Sequence, residues 1–110
     1  MSEAVQTRVV AVIDDMFFAS KIKEAAKSTG VKVDFIKNVD GFIEDLKADP
    51  PTLIIFDLNS KKLKPLELIK NLHSNPELNT LSTLGYFSHV HKDLKKEALE
   101  AGFGIVMPRS

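Results

Sequence analysis

The chain has no cysteine, which removes both a disulfide framework and a thiolate metal site. It has no net charge either, because fifteen basic residues cancel fifteen acidic ones. Such a balance attracts neither nucleic acid nor an anionic membrane over the whole molecule. No apolar run reaches the roughly 20 residues needed to span a bilayer. The opening residues 1–8 are polar and lack the apolar stretch of a signal peptide. Glycine-rich phosphate cradles are missing, both the Walker pattern and the dinucleotide fingerprint. There is no Gly-x-Ser-x-Gly elbow and no cysteine nucleophile, so hydrolase chemistry has no support and no enzyme is expected. These absences lead to the expectation of a cytoplasmic protein with no nucleic-acid or membrane partner.

What is present is ordinary for a folded domain. Apolar residues make up 44% of the 110 and charged residues 27%, near globular averages. The length suits one domain. No repeat, low-complexity tract or linker divides it, so residues 1–110 read as a single domain with a core of about 8–109. Apolar periodicity alternates between strand-like runs and helical patterns. Val9–Ile13 is a continuous apolar run ending at Asp14 and Asp15, a strand buried on both faces. Met16 to Ser28 turns helical, with Phe18, Ile22 and Ala25 on one stripe and Thr29-Gly30 as the stop. Val31–Ile36 alternates, as an edge strand with one wet face does. Asp40 is placed to cap a short helix carrying Phe42, Ile43 and Leu46, which Pro50-Pro51 ends. Leu53–Phe56 is a second fully buried strand, stopping at Asp57. Pro65 opens a third helix with Leu68, Ile69 and Leu72 inward. Thr83–Phe87 is a fourth strand, Asp93 caps a fourth helix that Gly102 closes, and Ile105–Met107 is a fifth strand.

The order βαβαβαβαβ implies parallel strands joined by right-handed crossovers. The expected class is α/β, a flavodoxin-like doubly wound five-stranded sheet in the order 2-1-3-4-5. In that sheet ligands sit beyond the carboxyl ends of strands 1 and 3, where the winding reverses. Asp14, Asp15 and Asp57 stand at those ends. Carboxylates gathered there repel one another, which raises a pKa or recruits a cation. A hard ion such as Mg²⁺ suits all-oxygen ligands, and a carboxylate beside it can attack a phosphoryl group. The competing reading is local: Asp15 is also placed to cap the helix that starts at Met16.

With these residues in hand, the chain resembles the receiver domain of two-component response regulators. The resemblance rests on VVAVIDD, TLIIFDL and DLKKEALEAG, with DLNSKKLKPLELIK matching the length and pattern of the following loop and helix. It implies that Asp57 is the phosphoacceptor. Asp14, Asp15 and Asp57 would hold Mg²⁺ together with the backbone carbonyl of Asn59. It also implies a protein partner, a histidine kinase among the candidates.

The family pattern is not followed everywhere. Counted without gaps, the family's Ser/Thr at the end of strand 4 falls on Phe87, and its Lys at the end of strand 5 falls on Arg109. A slip of one residue makes Asp14-Asp15 the acidic pair and Ser88 the hydroxyl. Because side chains alternate along a strand, the slip decides which residue faces the site. Lys61 and Lys62 replace the usual Pro-Gly of the loop, and an arginine fork does not reproduce an ammonium. These departures favour a receiver-like interaction module with a degenerate phosphorylation site, a pseudo-receiver. The alternatives are a working phosphoacceptor and a flavodoxin-like small-molecule binder or enzyme.

Three further features carry less. His89-x-His91 beside Asp93 reads as a solvated loop rather than a metal site. Lys61, Lys62 and Lys64 form a small basic patch, read as a solvated loop or a helper for an acidic partner. Tyr86 and Phe87 read as sheet core rather than a base-stacking platform. Finally, the family's fifth helix has no residues left after Ser110, so strands 3 to 5 are expected to expose one apolar face. A second protomer, as a homodimer, or a partner protein then covers it, unless the chain is a piece of a longer protein.

Overall fold

A computed structural model describes residues 8–36, 39–60, 62–87 and 93–108. Five strands, β1 (Arg8–Val12), β2 (Lys32–Ile36), β3 (Leu53–Asp57), β4 (Ser82–Phe87) and β5 (Ile105–Pro108), alternate with four helices. These are α1 (Met16–Thr29), α2 (Phe42–Ala48), α3 (Pro65–His73) and α4 (Leu94–Ala101). All strand pairs are parallel, and the order is β2-β1-β3-β4-β5. This is the doubly wound class that the apolar pattern predicts.

Strand alternation divides the core in two. Val10, Val12, Ile54 and Phe56 face one side, where they pack with Phe42 and Leu46 of α2, Leu68, Ile69 and Leu72 of α3, and Ala98 of α4. Ala11, Ile13 and Tyr86 face the other side, where Phe18, Ala19 and Ile22 of α1 lie against them. Three helices thus cover one face and one helix the other. On the lightly covered face, Ile105 and Met107 of β5 remain 54% and 44% exposed.

The punctuation residues behave as their chemistry requires. Gly30 ends α1 at a φ of 77°, and its amide donates to the Ala26 carbonyl, a left-handed cap without the Cβ penalty. Pro65 sits in the first turn of α3. At α2 the cap position falls on Gly41, not Asp40, and a glycine there gives no side-chain cap bond. Asp93 does occupy the cap position of α4, but in a left-handed conformation (φ 71°) that gives no side-chain cap bond. Gly85 meets a different demand: a Cβ there would lie 2.8 Å from Leu58 Cδ2. The missing side chain lets Leu58, the residue after Asp57, seat against β4.

Candidate functional site

The carboxyl ends of β1 and β3 are adjacent, because Val12 pairs with Phe56. The residues that follow, Asp14 and Asp15 on one chain segment and Asp57 on the other, therefore come to one edge. Asp57 is 5% exposed and its Oδ1 accepts from the Asn59 amide at 2.9 Å. Burial pushes its carboxyl above the ordinary range, and the negative charges of Asp14 and Asp15 add to that rise. The Asn59 amide pulls in the opposite direction. A buried carboxyl with acidic neighbours is the environment that favours a proton or a cation.

The other two aspartates are also engaged. Asp15 is the N-cap of α1, its Oδ1 accepting from the amides of Phe17 at 3.1 Å and Phe18 at 3.2 Å. Those bonds satisfy two otherwise orphaned donors of the helix. Asp15 therefore caps the helix, and its charge also acts on the Asp57 carboxyl. Asp14 is exposed, and its Oδ2 accepts from the Ser60 hydroxyl at 2.8 Å. That hydroxyl in turn accepts from the Leu63 amide at 3.0 Å. A buried serine thus joins the end of β1 to the loop entering α3.

Among the described residues, no three His, Cys, Asp or Glu side chains converge to hold a metal ion. Mg²⁺ asks for less, commonly one or two carboxylates with waters. Asp57 and Asp14 are carboxylates of that kind brought to one sheet edge, and a cation there would offset the repulsion on Asp57.

Register settles which neighbours face Asp57. Its partner in β4 is Tyr86, and the partner of Tyr86 in β5 is Met107. Phe87 packs against the three-helix core, on the face opposite Tyr86. Ser88, the residue reached by the one-place slip, lies outside the described residues, as do Arg109, Lys61 and the His89-x-His91 pair. At the level of Asp57, β5 presents Met107, two residues before Arg109. Lys62 and Lys64 are exposed, and Lys64 precedes α3 at a φ of 51°. Sequence reasoning missed Ser60 and Tyr86 as neighbours of the aspartates. Nothing in their spacing signals those contacts, which come from loop closure and strand pairing.

No family model matches the sequence, and no curated protein matches it. Solved structures do. The phosphorylated cyanobacterial phytochrome response regulator RcpA superposes with a TM-score of 0.84 at 20% identity, covering 96% of this chain and 82% of that one. A response regulator from Hahella chejuensis gives 0.83 at 17% identity, over 94% and 80%. The receiver domain of a sensor histidine kinase from Pseudomonas aeruginosa PAO1, with magnesium coordinated in its active-site cleft, gives 0.80 at 12% identity, over 94% and 85%. The fold of this chain is that of response-regulator receiver domains.

Proposed function

We propose that this chain is a receiver-type signalling module of the two-component kind, which acts through a protein partner and carries a degenerate phosphorylation site. The fold supports the first half. The observation that carries the second is the level of Asp57 across the sheet, where Tyr86 and then Met107 stand and β5 supplies no ammonium group. Phosphoryl transfer builds negative charge that needs fixed positive partners. Asp57 and Asp14, with the Asn59 carbonyl and Asp15 nearby, would hold Mg²⁺, and the ion would supply charge neutralisation there. The exposed apolar side chains of Ile105 and Met107 support docking of a protein partner or a second protomer on that face.

A second reading, Asp57 as a working acceptor served by a histidine kinase, is favoured by the burial and raised pKa of that carboxyl. Incubation with acetyl phosphate, with and without Mg²⁺, separates the two by intact mass beside an Asp57→Asn control. Little or no phosphoryl adduct is expected from the folded protein. A stoichiometric, Mg²⁺-dependent adduct that vanishes in the control overturns the degenerate reading and establishes the second.

A further inference from the structure

The turn that leaves β3 reaches both carboxylates of the acidic edge. The Asn59 amide donates to Asp57 Oδ1 at 2.9 Å, and the Ser60 amide returns to the Asp57 carbonyl at 3.2 Å. Two consecutive amides thus set where Ser60 stands relative to Asp57. Its side chain goes the other way, toward the end of β1. The hydroxyl oxygen accepts from the Leu63 amide at 3.0 Å and lies 2.8 Å from Asp14 Oδ2. The direction of each bond in this short chain is forced. An amide only donates, an ionised carboxylate only accepts, and a hydroxyl has one proton to give. Ser60 is 7% exposed and Leu63 2%, so the proton aimed at Asp14 belongs to a group anchored in the protein. Asp14 itself is exposed and stands between β1 and α1 rather than within either. An exposed side chain gives up rotamer freedom when it is held, and a charge-assisted bond from a buried donor is strong enough to hold it.

We propose that Ser60 is the positioning residue of the acidic site: its buried hydroxyl donates to the Asp14 carboxylate and fixes how that group is presented at the edge it shares with Asp57. One turn, residues 57–60, then orients both carboxylates, Asp57 through an amide and Asp14 through a hydroxyl. A neutral donor orients an anion without cancelling its charge. A carboxylate has about four acceptor positions, and the hydroxyl occupies one, so Asp14 stays able to meet a cation. The inference rests on reading Asp14 and Asp57 as one cation site.

The test uses Ser60→Ala and Asp14→Ala. Mg²⁺ affinity, followed through the Asn59 amide in NMR titrations, is expected to weaken about 10-fold in Ser60→Ala, the low end for losing a partner that orients a metal ligand. The second readout needs no ion: hydrogen exchange at the Leu63 amide. Asp14→Ala changes an exposed side chain, yet it removes the group that directs the Ser60 hydroxyl. The Leu63 amide is expected to exchange about 3- to 10-fold faster in that variant, the range for weakening one hydrogen bond. In Ser60→Ala the same amide loses its acceptor, and adding Asp14→Ala is expected to speed it no further. A serine that only staples its own loop leaves Leu63 indifferent to Asp14. Leu63 exchange unchanged by Asp14→Ala overturns the proposal, even where Ser60→Ala does not fold, and so does equal Mg²⁺ affinity in wild type and Ser60→Ala. Should the wild type bind no Mg²⁺, the cation reading of the site fails, and Leu63 exchange by itself decides the role of Ser60.

Discussion

Replacing Asp57 with asparagine separates the energetic cost of a buried charge from the shape of the side chain that bears it. The folded protein holds the Asp57 proton more tightly than the unfolded chain does, because burial and two acidic neighbours raise its pKa above 3.8. Stability therefore falls as pH rises from about that value through the raised folded midpoint, and it stays lowered at neutrality. Two unit charges 8 Å apart repel by about 2 kcal/mol at an effective dielectric of 20. Water around exposed Asp14 and dissolved salt cut that by half or more. Burying a neutral amide also costs less than burying a carboxylate. Against these gains, the Asn59 amide loses a charged acceptor, a loss of about 1 kcal/mol. The net expectation for Asp57→Asn at pH 7 is a gain of about 1–2 kcal/mol, or roughly 5–10 °C in Tm for a domain of this size. Urea titrations at several pH values are the assay, with the gap between variant and wild type closing as pH falls toward 3.8. A variant less stable than wild type at pH 7, or a gap indifferent to pH, refutes the reasoning.

Two other substitutions probe what surrounds the site. Asparagine caps helices about as well as aspartate, so Asp15→Asn should keep the stability of the wild type in chemical unfolding. Asp15→Ala should lose about 1 kcal/mol, within the 0.5–2 range for such caps. Gly102 has a φ of 124°, and a Cβ there would lie 2.5 Å from His73 Cδ2, while its carbonyl pairs with His73 Nε2 at 2.8 Å. Gly102→Ala should therefore cost about 2–4 kcal/mol in urea unfolding, combining backbone strain with the disturbed hydrogen bond. Wild-type stability in that variant would show that the end of α4 relaxes freely.

Most of the architecture was legible because the signals were local. Val9–Ile13 and Leu53–Phe56 are runs too short for helices and too apolar for an exposed surface, so buried parallel strands were the consistent reading. Gly30, Pro65 and Gly102 marked boundaries through backbone constraints that do not depend on the rest of the fold. The cap of α2 falls one residue beyond Asp40 because Gly41 adopts a left-handed conformation that glycine enters without a Cβ penalty. Within the site, three aspartates at strand ends followed from topology. Their partners did not: Ser60 reaches Asp14 across 46 positions of sequence, and no motif encodes that distance. Likewise, that Tyr86 pairs with Asp57 depends on strand register, which nothing within β4 fixes until β3 is laid beside it. Met107 enters for the same reason, as the next residue along that transverse row.

The close seating of Leu58 on Gly85 has an evolutionary consequence. The residue immediately after Asp57 occupies the volume that any side chain at Gly85 would claim. A larger residue in β4 would require the Leu58 side chain to shift. The two positions are therefore coupled in size, one favouring a smaller residue as the other grows. A descendant that abandoned Asp57 would still inherit the constraint, because it comes from how the strands fit together rather than from the chemistry at their ends.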